Sequence, residues 1–307
     1  MNWIRGNDIL SQKRKYKILI YGAGVIGSIL AVHFSKNGND VHVYARNDRL
    51  EVLEEKGLLN EEEGKVVKAR VTVDSNVSDG DYYDYIFVTV RRNQILNALS
   101  ELKNNISLNI VTMVNNIEGY TAFGEILGQG RLIPAFPGAG GKIEKGVLRY
   151  SLVPSFIQKT TFGELNGKTS KRVVVLLKLF RSSGIPCEIS RNMEAWQKCH
   201  VAFITALELG IYSYGETSKE VAKHNDQLIE IVQSLNRNFK VISEAGFTIE
   251  PQNLRVFYHL PLKIQRDILK KLFKTKFAEG ALASGSKKSK EEMGKLQSEL
   301  LSMKFPQ

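Results

Sequence analysis
The 307-residue chain carries 43 Lys and Arg against 32 Asp and Glu, a net charge of +11, and 43% of its residues are hydrophobic. That is the balance of a globular protein long enough for two domains. Its two cysteines, Cys187 and Cys199, exclude a disulfide framework or a cysteine-built metal cluster and fit a reducing compartment. No apolar run nears the roughly 20 residues that span a bilayer, and the N-terminus leads into no apolar signal core. A cytoplasmic protein with no membrane partner is therefore expected. The basic excess asks for anionic partners. With no zinc-finger spacing and no RRM-type aromatic motif, a phosphate-bearing cofactor and a small carboxylate substrate are preferred to nucleic acid.

Residues 1–15 end in Lys13-Arg14-Lys15, lack periodicity, and read as a mobile extension. The run Lys17-Ile18-Leu19-Ile20-Tyr21 reads as a buried strand, too short for a helix. It enters Gly22-Ala23-Gly24-Val25-Ile26-Gly27, a Gly-x-Gly-x-x-Gly placed between a strand and an apolar helical stretch. Gly22 permits the tight turn, Gly24 lets a pyrophosphate approach the backbone, and Gly27 lets helix and strand pack closely. The phosphates would meet the positive end of the helix. Gly38 stops that helix, and a second strand follows at 40–44. Its tip selects the cofactor. NAD sites hold the ribose 2′-hydroxyl with an acid at this point, whereas an Arg accommodates a 2′-phosphate. The chain reads Tyr44-Ala45-Arg46-Asn47, with no acid at the tip, so the planar fork of Arg46 points to NADP(H).

Val66, Val67, Val71 and Val73 suggest short strands, and 85–90 is the next buried strand, ending in Arg91-Arg92-Asn93-Gln94. After a helix at 95–102 comes a strand at 108–114, ending in Asn115-Asn116. Ligands of open α/β sheets lie beyond the carboxyl ends of strands, so Arg91, Gln94 and Asn115 fall where the cofactor is expected. Further short strands are expected across 131–164, interrupted by a loop at 136–141, before a helix at 170–182. From residue 193 onward only helices are expected, at 193–214, 221–245, 254–273 and 290–303. The domains are thus a Rossmann-type α/β domain over 1–186, with a mainly parallel sheet, and an all-helical substrate or dimerisation domain over 187–307. Lys263, Arg266, Lys270 and Lys274 form a basic stripe, expected to be a solvated face opposite the core-facing Ile264, Ile268, Leu272 and Phe273.

The glycine turn, Arg46, Arg91 with Gln94, Asn115-Asn116, Phe162-Gly163-Glu164 and Trp196-Gln197-Lys198 together resemble the ketopantoate reductase (2-dehydropantoate 2-reductase) family of pantothenate biosynthesis, as a divergent member. The resemblance implies NADP(H)-dependent reduction of a 2-keto acid, a possible homodimer, and two groups, Asn115 and Lys198, facing each other across a cleft between the domains. Lys198 would be the general acid, protonating the carbonyl oxygen as hydride reaches the carbon, a role an ammonium beside a keto acid can fill.

The family pattern carries Asn four and eight residues beyond that Lys, where this chain has Ala202 and Ala206, and its C-terminal acidic motif is absent. Thr205, about 20° from Lys198 on a helical wheel, is a candidate replacement hydroxyl, and Glu279 a candidate replacement acid. His200, about 200° away, is expected to be a buried or interface histidine outside the cleft. Two other readings remain open. One is a related dehydrogenase acting on an imine or a sugar-phosphate-like substrate. The other is an NADP(H)-binding redox sensor that has lost catalysis.

Overall fold
The computed structural model describes residues 14–155, 157–215, 217–275, 278 and 287–303. Strand β1 (Lys17–Tyr21) is buried on both faces. Its period-2 alternation sends Ile18 and Ile20 into one core layer, with Ile29 and Phe34, and Leu19 and Tyr21 into another, with Leu99 and Phe123. Helix α1 (Val25–Lys36) returns the chain to β2 (Asp40–Tyr44), parallel to β1. Helix α2 is Asn47–Lys56, and strands β3 (Leu59–Glu62), β4 (Lys65–Lys68) and β5 (Thr72–Asp74) follow.

Strand β6 (Tyr85–Val88) pairs with the other edge of β1, Ile18 opposite Tyr85. Next come α3 (Ile95–Glu101), β7 (Ile110–Thr112), α4 (Thr121–Leu127), β8 (Leu132–Phe136), β9 (Ala139–Glu144), β10 (Val147–Leu152), β11 (Thr160–Phe162), α5 (Lys171–Ser182) and β12 (Cys187–Ile189). The main sheet has the order β12-β11-β8-β7-β6-β1-β2-β5, and within it only β11 and β8 pair antiparallel. β1 lies between β2 and β6, so the crossovers diverge at its carboxyl end and open the crevice typical of ligand sites.

A second sheet, β4-β3-β10-β9, joins two hairpins through the parallel pair Val147–Leu59. Both hairpins turn on a left-handed pair, Glu63-Gly64 (φ 49° and 78°) and Lys145-Gly146 (φ 50° and 83°), the backbone that matches strand twist. The residues 139–141, expected as loop, are the start of β9. A side chain at Gly141 would press on the Arg149 and Tyr150 backbone, so the glycine is there for strand pairing.

Among the described residues no strand follows Ile189. The α/β part therefore runs slightly past the expected boundary at Pro186, because Cys187–Ile189 completes the sheet edge against β11. Helix α6 (Met193–Tyr214) opens with the Asn192 side chain accepting from the Ala195 amide at 3.0 Å and ends on left-handed Gly215. The short α7 (Ser218–Val221) precedes α8 (Asn225–Glu244). The stretch expected as one helix over 254–273 is two, α9 (Gln252–Tyr258) and α10 (Leu262–Phe273), because Pro261 has no amide hydrogen to continue the first. Helix α11 (Lys287–Leu301) packs against α6 and α8 around Leu207, Phe239, Leu296 and Leu300.

The face of α10 differs from expectation. Ile264 and Ile268 are 46% and 42% exposed, and Gln265, Leu269 and Phe273 are the buried residues. The Gln265 amide donates to the last carbonyls of α9, Phe257 (2.8 Å) and Tyr258 (3.0 Å), and accepts from Asn236 at 2.8 Å. A polar residue that satisfies a helix end has taken the inward position. Among the described residues no helix is long and apolar enough to cross a membrane.

Candidate active site
The glycine turn is divided by function in the structure. Gly22 has φ +112°, closed to most side chains, and its carbonyl accepts from the Thr89 hydroxyl at 2.7 Å. A Cβ on Gly27 would lie 2.5 Å from Thr89 Oγ1 and 2.9 Å from Ile20, so that glycine is required by packing of α1 on β1 and β6. A Cβ on Gly24 would meet nothing within 4 Å. The protein itself asks nothing of Gly24, and the open space is what a pyrophosphate needs. Ala23 is buried, Val25 and Ile26 are partly buried, and the first turn of α1 holds no acidic side chain to compete with an anion.

A groove of about 670 Å³ runs over this turn. Gly22, Ala23, Gly24, Arg46, Arg91 and Gln94 line it, so four segments of sequence converge on one surface with Tyr21, Tyr44, Thr89 and Ile143. Arg46 lies just before α2, 5.9 Å from the centre of the Tyr44 ring, and donates from Nη1 to Glu101 Oε1 at 3.0 Å. Sequence reasoning missed Arg49. From one turn into α2 it donates to the Ala23 carbonyl at 3.0 Å and to Ser28 Oγ at 3.4 Å, bracing the glycine turn with a cation. Its spacing from Arg46 was the available signal. Glu101 was also missed, and no local pattern marks it, because it reaches Arg46 and Tyr21 from α3.

Asn115 follows β7, and its side-chain oxygen is buried without a partner. Two residues on, the Ile117 carbonyl accepts from Lys198 Nζ at 2.7 Å, so the lysine of α6 meets the loop that carries Asn115. The ammonium also lies 3.1 Å from Glu194 and 4.8 Å from the centre of the Phe247 ring, and Lys198 is only 4% exposed. Beside it, the Gln197 amide donates to the carbonyls of Val114 (3.1 Å) and Ala135 (3.3 Å), pinning the start of α6 to the ends of two strands.

Thr205 needs correction. Its hydroxyl donates to the Val201 carbonyl at 2.8 Å and accepts from Asn238 at 3.4 Å, and the residue is fully buried, away from any cleft. Ala202 and Ala206 are buried in the same helical core, where Asn238 donates to the Ala202 carbonyl at 3.0 Å and pairs with Gln297 of α11. Glu279 lies outside the described residues. His200 is buried with its ring stacked on Trp196 (5.3 Å, 6°) and 4.0 Å from Phe136, beside a different cavity from the glycine groove, and burial pushes its pKa down to about 3. Phe162-Gly163-Glu164 is structural. Glu164 accepts from Arg172 Nε at 2.7 Å and from Ser170, the cap of α5, while Arg172 also donates to the Leu132 carbonyl at 3.1 Å.

Residues 18–167 match the ketopantoate reductase PanE/ApbA family. Over that stretch the chain resembles the ketopantoate reductases, as a divergent member. The resemblance supports an oxidoreductase. No curated protein sequence matches the chain. Solved structures share the fold at low identity. A Ralstonia solanacearum MolK2 protein assigned to the ketopantoate reductases aligns with a TM-score of 0.72 and 16% identity over 95% of this chain and 94% of its own. D-Mandelate dehydrogenase, in a ternary structure with NADH and anilino(oxo)acetate, gives 0.70 and 15% over 93% and 97%. The 2-dehydropantoate 2-reductase of Porphyromonas gingivalis W83 gives 0.66 and 14% over 94% and 98%.

Proposed function
We propose that the chain is an NADPH-dependent reductase of a 2-keto acid or related small carbonyl compound, akin to 2-dehydropantoate 2-reductase and working in the cytoplasm. The observation that carries this is the meeting of Lys198 with the loop after β7, where its ammonium lies 2.7 Å from the Ile117 carbonyl and the Asn115 side-chain oxygen has no partner. Gly22, Ala23, Gly24 and the first turn of α1 would hold the pyrophosphate, with Arg46 at the 2′-phosphate and Arg91, Gln94 and Asn115 beyond it. Bound there, the cofactor supplies hydride. The chain's own residues do the rest. Lys198 gives the proton and offsets the alkoxide charge that develops on the substrate oxygen. Glu194 and the Ile117 carbonyl fix the ammonium on the loop side, and the apolar Phe247 face limits water around it. The D-mandelate dehydrogenase likeness supports a 2-oxo acid class, since that ternary structure holds anilino(oxo)acetate.

One observation favours a second reading. Lys198 is almost wholly buried, and the two positions that carry Asn in the family are core alanines, as an NADP(H)-binding sensor without turnover would tolerate. Screening 2-oxo acids for NADPH oxidation separates the two. Turnover of any member of the panel supports the reductase. Tight NADPH binding with no turnover across the panel overturns it in favour of the sensor.

A further inference from the structure
The groove offers its Arg46 end two claimants for one cation. Glu101, the last residue of α3, takes Arg46 Nη1 at 3.0 Å through Oε1, and its Oε2 accepts from the Tyr21 hydroxyl at the end of β1. Tyr21 in turn packs on Tyr44, ring centres 4.6 Å apart, and both rings line the groove. The carboxylate is thus held from two sides at the rim, beside the residue that reads the cofactor's ribose. At 43% and 42% exposure the Arg46–Glu101 pair contributes little to stability. Its consequence lies in what it does to a ligand.

We propose that Glu101 is a cofactor-discriminating residue, whose carboxylate competes with the 2′-phosphate of NADP(H) for Arg46 and accepts the free 2′-hydroxyl of NAD(H). The inference rests on the reading of Arg46 given above and adds the counterweight to it. A carboxylate only accepts hydrogen bonds, so it suits a ribose hydroxyl and repels a phosphate. NAD sites ordinarily place such an acid at the tip of the second strand. This chain delivers the acid from α3 instead, and so keeps an Arg and an acid at one ribose position. Burial and the adjoining Glu101 carboxylate push the Tyr21 phenol above its usual range, so it remains a donor and keeps the carboxylate in place. The consequence is a chain that accepts both cofactors, with a smaller preference for NADPH than Arg46 alone would give.

The test is Glu101→Gln, a substitution of equal size at a half-exposed site, with dissociation constants for NADPH and NADH measured by titration calorimetry. We expect NADPH to bind about three- to tenfold more tightly and NADH about two- to fivefold more weakly, with the gap shrinking at high salt. Tyr21→Phe is expected to move both constants the same way by less. A change of less than about twofold in the NADPH/NADH ratio overturns the proposal. So does equal weakening of both cofactors, the mark of a merely structural residue. Arg46→Ala keeps the two ideas apart. If it leaves NADPH affinity unchanged, the groove reading itself fails, whereas loss of NADPH affinity there with an inert Glu101→Gln condemns only the role of Glu101.

Discussion

Arg46 and Lys198 are cations of opposite kinds, one half-exposed at a groove rim and one enclosed by protein. For Arg46→Ala, NADPH affinity is expected to fall about tenfold, roughly 1.4 kcal/mol, with NADH nearly unaffected. Equal losses for both cofactors would remove the 2′-phosphate assignment. For Lys198→Ala, kcat is expected to fall by about two to four orders of magnitude with NADPH binding retained, and Lys198→Gln should do little better, since an amide does not readily release a proton. His200→Ala should cost kcat far less, because its ring lies on the other side of α6. His200 has its own signature. Its folded pKa of about 3 lies below the ordinary 6.5, so the unfolded chain binds the proton first. The stability it contributes is complete above about pH 6.5 and is lost as the pH falls toward 3. His200→Phe should flatten that part of a stability–pH curve from urea titrations, and an unchanged slope would contradict the burial argument. The placement of the glycine turn and Arg46 at one groove, and of Lys198 against the loop after β7, was legible because each lies in a short local pattern. Thr205 was not, since a helical wheel gives a direction and says nothing of Asn238 and Gln297, which close over that face.

The strand–turn–helix unit shows what local sequence determines. Spacing assigns the three glycines separate jobs, and the structure gives Gly22 a left-handed backbone, Gly27 a close-packed position and Gly24 open space. That division predicts opposite outcomes for two identical substitutions. Gly24→Ala puts a methyl group into open space at an ordinary φ of −73°, so the denaturation midpoint should hold while NADPH affinity falls. Gly27→Ala drives a methyl group against Thr89 and Ile20, and should destabilise the protein by about 1–3 kcal/mol in urea denaturation. If Gly24→Ala retains full affinity, the cradle is not where the pyrophosphate lies. Helix α10 marks the limit of this legibility. Of its expected buried stripe Phe273 is buried and Leu272 packs against the core, but Ile264 and Ile268 face out, because Gln265 turns inward with Leu269 to meet the exposed carbonyls at the end of a neighbouring helix. Element type follows from periodicity, but the rotation of an amphipathic helix can be set by a partner that no local window contains.

At the scale of the whole chain, the two halves are joined by polar contacts as well as by the run-through of α6. Gln197 ties α6 to the ends of β7 and β8, and at the far end of the sequence α11 reaches back to the α/β half. Arg92 follows the groove residue Arg91 and donates to Glu299 Oε1 of α11 at 3.1 Å, with a second nitrogen 2.6 Å from Oε2 and 3.4 Å from Glu118. No local pattern points to the contact, which spans 207 positions. It is enclosed, with Arg92 16% and Glu299 21% exposed, so water screens it less than a surface pair. The apolar face of α11 already buries Leu296 and Leu300, and the question is whether the ion pair adds to that anchorage. A double-mutant cycle answers it. Arg92→Met and Glu299→Leu should each lower the urea midpoint, because each leaves a partly desolvated charge behind. The double variant should then recover part of the loss, with a coupling energy of about 1–2 kcal/mol. Arg92→Met should also weaken NADPH by no more than about twofold, since Arg92 does not line the groove. A coupling near zero would mean that α11 is held by its apolar stripe alone, and that the bidentate contact follows from the packing of the two halves without contributing to it.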